Sequence, residues 1–595
     1  MSTSTQLPPR TGDPEPAATS DAQDRWKLTV FHALTGLVVL AVLALGWYRR
    51  WTSDDAFINF RVVHELLAGH GPVFNAGERV EVATSPLWLF VLTVVEAVVP
   101  GDTAPWASVV LGLLLTATAV TLASLAAARL WVKAPSWAVV PFGIAVFAAL
   151  PPTWDFTTSG LETGLSFSWI ALSFWGLVRW VQSARPAPHR PVWLLVLIGL
   201  GPLVRPDFAV IAGILLLFVA IAGAGRWWQR LLGLLAAAVV PVAYQVFRMG
   251  YYGLLVPNTA VAKESSRPLW DRGFVYLADL VAPHLLWVPA LIALLLLGVL
   301  APQARWRGRE AALVVVVLAA AVLHALYVVR VGGDFMHARL LMPSVFLALC
   351  PVAALPLTRR AASISVTLVV AAAVWAGASV LVLRISYADH VARSGIADER
   401  GFYAGLAGVT NPVTLADHGG TGVSAYADQV VARQRAGDDE IVLQVTKVKP
   451  QTPVDVLVPS SGGMVFSVGN AGFYGVAAGP DVVVVDAFGL TDPIASHLEP
   501  GPLGRPGHEK VFPSWWLLAR YGADDLATRA TENNPAPVIV AAARETLDCG
   551  AAAELVQATS GDLTWDRFWR NVTGAVARTS FRIPIAVDEA QQELC

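Results

Sequence analysis

The sequence predicts a polytopic α-helical membrane protein of about eleven transmembrane helices, followed by a soluble C-terminal domain that is mixed α/β or β-rich. Three observations carry this reading. Of the 595 residues 55% are hydrophobic and 14% charged, with mean hydropathy +0.56, more apolar than a soluble globular chain usually is. Apolar runs of about 20 residues, the helix length that crosses about 30 Å of hydrocarbon, recur between residues 29 and 384. Beyond residue 385 the composition becomes that of a soluble domain and stays so to residue 595.

Residues 1–28 are rich in Pro, Thr, Ser and Asp and contain no apolar run, so they read as a disordered cytoplasmic tail. The apolar stretch Val30 to Trp47 is followed by Tyr48, Arg49, Arg50 and Trp51 without small residues for cleavage, which makes it a retained span rather than a signal peptide. Residues 29–384 form the membrane domain, with spans expected near 29–48, 105–131, 136–152, 163–182, 192–204, 207–224, 228–247, 276–300, 310–330, 339–358 and 361–384. The run Pro86 to Val99 is short and interrupted by Glu96, and is read as a juxtamembrane or re-entrant helix. With that run not crossing, the inner loops collect Arg129, Lys133, Arg185, Arg190, Arg226, Arg230, Arg305, Arg307, Arg309, Arg359 and Arg360, and Glu310 is their only acid. The outer segments hold Asp54, Asp55, Glu65, Glu78, Glu81, Asp155, Glu162, Glu264, Asp271 and Asp334. The positive-inside rule then sets the N-terminus in the cytoplasm and residues 385–595 in the periplasmic space.

Within 385–595 the runs Ile441 to Val448, Val465 to Val468 and Val482 to Val485 read as strands, and Leu517 to Tyr521 and Pro537 to Thr546 as helices. Cys350 lies in an apolar run and is packing, whereas Cys549 and Cys595 lie in the outer part, where a bridge between them is favoured. A net charge of −2 offers no basic surface, which excludes nucleic acid as a partner. Neither a Walker loop nor a Gly-x-Ser-x-Gly elbow nor a Cys/His metal pattern occurs, so nucleotide binding and serine hydrolysis are not expected.

Chemistry is expected at the outer ends of the spans, where acids near a membrane are expensive unless paired or functional. Asp54 and Asp55 open the segment Asp54-Asp55-Ala56-Phe57-Ile58-Asn59-Phe60-Arg61, where adjacent acids point in different directions and one could take a proton from an acceptor hydroxyl. Helix capping is the bland reading of such a pair. Further clusters follow later spans: Thr158-Ser159-Gly160-Leu161-Glu162-Thr163, Pro257-Asn258-Thr259 with Lys263, and Gly332-Gly333-Asp334-Phe335-Met336-His337-Ala338-Arg339. Val204-Arg205-Pro206-Asp207 also falls near the outer surface, whereas a transporter would keep its polar residues at the bilayer midplane. An apolar groove beside cations and a carboxylate fits a lipid-phosphate donor.

With Thr84-Ser85-Pro86-Leu87-Trp88 and Asp486-Ala487-Phe488-Gly489-Leu490-Thr491-Asp492, these segments resemble the membrane glycosyltransferases of the GT-C fold. The likeness is greatest to the terminal β-(1→2)-arabinofuranosyltransferase family of mycolic-acid cell walls, and it extends over nearly the whole chain after the tail. The resemblance implies decaprenylphosphoryl-arabinose as donor and the non-reducing ends of arabinan, in arabinogalactan and lipoarabinomannan, as acceptor. It implies an acid of the first outer loop as catalytic residue, here Asp54 or Asp55, the sequence not choosing between them. Donor phosphate and sugar contacts are expected from Arg61, Glu162, Arg205, Asn258, Lys263, Asp334, His337 and Arg339. As to cofactors, the lipid donor is the one such molecule implied, with a divalent cation left as an option and no metal ligands assigned. The partners are then the donor, the glycan and the bilayer; the oligomeric state is left open, a monomer being compatible with the sequence. A β-linked donor and β-linked product imply net retention, which one in-line displacement does not give. The C-terminal domain is expected to bind glycan, with Phe473, Tyr474, Trp515 and Trp516 as candidate stacking residues, although core packing is the commoner role for any one of them. A mannosyl or other polyprenyl-phosphate sugar transferase, and a non-enzymatic lipid-glycan transporter, are the alternatives.

Overall fold

The computed structural model describes residues 17–183, 191–306, 308–446, 453–524 and 536–595; Arg185, Arg190 and Arg307 lie outside these. Five described helices are long and apolar enough to cross a bilayer: Arg25–Tyr48, Ala104–Leu130, Trp227–Tyr251, Gly308–Arg330 and Arg359–Leu381. Shorter apolar helices at Val192–Val204, Phe208–Ala222, Trp287–Gln303 and Met342–Val352 fill the bundle. Thr163–Val181 is buried along most of its length against Ala104–Leu130, so it carries serines and packs inside the protein instead of facing lipid.

Backbone punctuation breaks three of the expected spans. The 136–152 run is a strand, Ser136–Val140, followed by the helices Phe142–Ala149 and Pro151–Thr157, with Pro141, Pro151 and Pro152 at the breaks. The 276–300 run divides into Trp270–Val281 and Trp287–Leu300 around Pro283 and Leu285, the latter at φ 47°. The 339–358 run is a helix, Met342–Leu349, then a turn at Cys350–Val352 and a strand Leu355–Thr358, which pairs antiparallel with Ser136–Val140. Hydropathy measures how apolar a run is and not whether its amide groups can stay in one helix. The first helix begins at Ala17, so residues 17–28 of the expected disordered tail are helical, and residues 1–16 lie outside the described part.

After Leu381 the chain leaves the bundle. A four-stranded sheet follows, in the order Pro453–Pro459, Glu440–Thr446, Val465–Val468, Val483–Asp486; the first pair is antiparallel and the others parallel. Helices Ser514–Tyr521, Pro537–Leu547, Gly550–Ser560 and Trp565–Ser580 complete a mixed α/β unit, closed by a disulfide between Cys549 and Cys595. Cys350 is a buried free thiol. This unit does not have a core entirely to itself: Phe57, Phe60, Phe74 and Trp88 of the first loop share one apolar cluster with Phe466 and Phe473. The first loop is therefore clamped between the bundle and the C-terminal unit, and that clamp positions the site.

Candidate active site

Ser53 caps the helix Asp54–Leu67 by accepting a hydrogen bond from the Ala56 amide. The next two residues, one helical step apart, point to different neighbours. Asp54 turns to the C-terminal unit and accepts hydrogen bonds from the amides of Gly472 (3.3 Å) and Phe473 (2.8 Å), at the start of the helix Ala471–Ala478. The approach is so close that a Cβ on Gly472 would lie 1.9 Å from the Asp54 carbonyl oxygen. Burial pushes the Asp54 carboxyl up to about 7, with the neighbouring Asp55 charge acting the same way against the two amides. Asp55 faces a cavity of about 430 Å³. Burial raises its carboxyl too, but Lys263, Arg339 and His508 outweigh burial and hold it below the ordinary carboxylate value.

Six of the expected residues meet on the cavity wall: Asp55, Glu162, Arg205, Lys263, Asp334 and Arg339. Arg339 joins two acids, with Nη1 3.3 Å from Asp55 and Nε 3.2 Å from Asp334. Arg205 bonds Glu162 and lies 3.0 Å from Asp207, which is held in turn by His324 at 2.8 Å. Arg248 is paired with Glu81 at 2.6 Å and Arg272 with Glu509. Among the described residues, Lys263 is the cavity cation with no carboxylate in ion-pair reach. Its stem lies against Gly507 and its ammonium 5.3 Å from the Phe335 ring centre. The rest of the wall is largely apolar, including Ile58, Val256, Val328, Val331 and Leu340.

The other expected residues are not on this wall, each for a visible reason. Arg61 is buried and donates to the carbonyls of Phe74 (2.6 Å), Gly475, Gly479 (2.8 Å) and Val482 (2.8 Å), tying the first loop to the C-terminal unit. Asn258 bonds Gly489, Leu490 and Ser496, so it splices its loop to the Asp486–Asp492 turn. Left-handed Ala338 (φ 64°) turns the chain between His337 and Arg339, and His337 bonds Asp279 (2.6 Å), His284 (3.2 Å) and Tyr387 (3.1 Å) instead. Phe473, Tyr474 and Trp516 are buried in cores, and Trp515 is half-buried. The described residues contain one trio able to converge on a metal, His64, Glu96 and Asp102, none of them on the cavity wall.

Residues 450–588 match the AftB family C-terminal domain. Over 94% of its length the chain is 35% identical to a terminal beta-(1->2)-arabinofuranosyltransferase of Mycobacterium tuberculosis, covering 96% of that protein. The chain belongs to the terminal β-(1→2)-arabinofuranosyltransferase family. A second member, from Corynebacterium glutamicum, is 33% identical over 86% of this chain and 80% of its own length. The crystal structure of ArnT from Cupriavidus metallidurans bound to undecaprenyl phosphate is a distant likeness, at 15% identity and TM-score 0.44, covering 79% of this chain and 90% of that one.

Sequence reasoning about this arabinofuranosyltransferase-family chain missed part of the wall. Gln245 and Arg248 lie at the end of a long apolar helix and read as its polar margin. Pro506 and Gly507 come from a loop with no motif of its own, brought to the cavity by the C-terminal unit. Arg272 carried the one usable signal, a cation just after Trp270 and Asp271 at the start of an apolar run.

Proposed function

We propose that this chain is a GT-C fold, polyprenyl-phosphate-dependent glycosyltransferase that moves D-arabinofuranose from decaprenylphosphoryl-arabinose to the non-reducing ends of cell-wall arabinan, forming terminal β-(1→2) linkages. The observation that carries this reading is Asp55, held ionised at the wall of a largely apolar cavity, beside a lysine that, among the described residues, has no carboxylate partner. Lys263, with Arg205, is set to neutralise the donor phosphate, which is the leaving group. The apolar wall of Val256, Val328, Val331 and Leu340 is suited to the first isoprene units of its chain. Net retention is met by two successive in-line displacements, and Asp55 and Asp334, both on the cavity wall and tied to the same guanidinium, supply two carboxylates for them: one to bond the anomeric carbon as the lipid phosphate leaves, the other to take the proton of the acceptor hydroxyl that then breaks that bond.

We place this cavity on the outer side of the membrane. The basic loops fall on the opposite face by sequence, and the Cys549–Cys595 bridge belongs to an oxidising compartment. A lipid-phosphate donor also supplies activated sugar where no nucleotide pool exists. The test is transfer from purified decaprenylphosphoryl-arabinose to an arabinan oligosaccharide by wild type and Asp55→Asn in nanodiscs. Wild-type turnover, lost in a variant that remains folded, is the expected result. Equal activity of the two proteins overturns the role of Asp55. A mannosyl donor used in place of arabinose, or donor bound without turnover, overturns the substrate or the activity.

A further inference from the structure

The helix Trp565–Ser580 of the C-terminal unit has one face explained by contacts and one that is not. The explained face packs on the end of the membrane helix Trp227–Tyr251. Asn571 donates to the Gly250 carbonyl at 3.0 Å and Arg578 to the Gly253 carbonyl at 2.9 Å. The Phe568 ring occupies the space where a Cβ on Gly250 would be. Thr579 Oγ accepts from the amide of Leu255, a cavity-wall residue, at 2.8 Å.

On the other face Trp565 is 79% exposed, Trp569 54% and Val576 57%, with Val572 half-buried between them. Spacings of four and seven place them in one stripe on a helix, flanked by the ion pair Asp566–Arg570 (2.9 Å) and by Thr573. Two exposed indoles in a row are unusual on a surface meeting only water. The covering partner is indicated by continuity. The helix lies against the outer turn of a span whose own exposed side is apolar, including Leu231, Leu235, Val239 and Val242. On the same face of the bundle, exposed Trp47 and Trp106 meet at 6.1 Å where two other spans end, as in the aromatic belts that mark a membrane–water boundary.

We propose that Trp565–Ser580 is an interfacial helix, its tryptophan–valine stripe lying in the lipid at the headgroup–acyl boundary of the leaflet beside the cavity, so that the C-terminal unit is held to the bilayer next to Leu255. This rests on the chain being a membrane protein and not on the identity of its donor.

The test uses the full-length protein in phosphatidylethanolamine–phosphatidylglycerol nanodiscs, with the native disulfide intact. Nitroxide labels on single cysteines at positions 565, 569 and 576 should show several-fold higher oxygen-to-nickel-chelate collision ratios than labels at 566, 570 and 573. Equal, water-like ratios at all six positions overturn the proposal. Because a label at 565 or 569 removes an indole, a second measurement leaves both in place: a photo-crosslinking side chain at Val576 should give an adduct with phospholipid. No adduct, or an adduct with a second copy of the chain, overturns it.

Discussion

The two acids that open the helix Asp54–Leu67 are neighbours in sequence and meet different partners. On the side facing the C-terminal unit, Asp54 accepts from two backbone amides, and Arg61 donates to four backbone carbonyls and to Asn75 Oδ1, with the buried Glu65 carboxylate 3.5 Å away. On the cavity side, Asp55 is answered by side chains, Arg339 at 3.3 Å and the charges of Lys263 and His508. Backbone partners fix a group permanently, whereas side-chain partners can be exchanged for a substrate's phosphate or hydroxyl. Burial alone does not separate the two sides, since Asp54 and Asp55 both lose most of their water; the type of partner does.

Neutralising each acid in turn separates their roles. Asp55→Asn is expected to lower kcat/KM by about 10³-fold, as for loss of a group acting on the reacting atoms, while melting falls only by the loss of its ion pair with Arg339. Asp54→Asn keeps an oxygen that can accept from Gly472 and Phe473, and its activity is expected to fall by less than about tenfold. Reversal of that ranking in a steady-state assay would make Asp54 the catalytic acid.

Next in size is the cation on the structural side. Arg61→Ala leaves four carbonyls without their donor and the buried Glu65 without its cation, with an expected cost of about 3–5 kcal/mol, read as early unfolding in detergent. Lys263→Met tests the cavity side at lower cost to the fold. The lipid donor should bind more weakly by about 2 kcal/mol, roughly thirtyfold in KM, while melting stays unchanged. An unchanged donor KM would remove Lys263 from the phosphate contacts.

The comparison also shows what the sequence could and could not disclose. Adjacency of Asp54 and Asp55 on a helix was enough to predict that they diverge, and the polar motifs at the ends of the spans were enough to find six of the cavity residues. Which acid faces inward depends on Gly472 and Phe473, more than 400 residues away, and no local pattern encodes that contact. Arg61 and Asn258 had the right chemistry for a phosphate or a sugar, but such groups are just as suited to closing loose carbonyls, and the choice is made by the tertiary packing. The fold was legible where helices are long, as at Ala104–Leu130, and where β-rich runs are bounded by glycine and aspartate, as at Val465–Val468. It was not legible at 276–300 and 339–358, because prolines and a strand pairing with residues 136–140 interrupt runs that hydropathy reads as continuous.

A titration sharpens the contrast further. Asp54 is raised from 3.8 to about 7 in the folded protein, so the folded state holds a proton there that the unfolded state has released. Its contribution makes stability fall as pH rises between those two values. Asp55 is lowered, so its contribution is present above the ordinary carboxylate value and is lost only in stronger acid. Melting curves from pH 4 to pH 8 should therefore fall less steeply in Asp54→Asn, which removes one raised carboxyl and leaves those of Glu399, Asp486 and Asp492, and should keep most of their slope in Asp55→Asn. The same slope in all three proteins would mean that Asp54 is ionised throughout.

The smallest expected effect on catalysis belongs to His337, two residues from Arg339 yet directed into a different network. Its Nδ1 bonds Asp279 at 2.6 Å and its Nε2 meets His284 at 3.2 Å, with Tyr387 closing the cluster where the chain leaves the last span. His337→Gln should weaken that buried network by about 1–3 kcal/mol, seen as a lower melting temperature. Donor KM should move less than about twofold, because neither Lys263 nor Arg339 takes its position from the imidazole ring. A donor KM raised as far as in Lys263→Met, at unchanged melting, would return His337 to the phosphate site. The left-handed turn at Ala338 would then be a hinge rather than a partition between two networks.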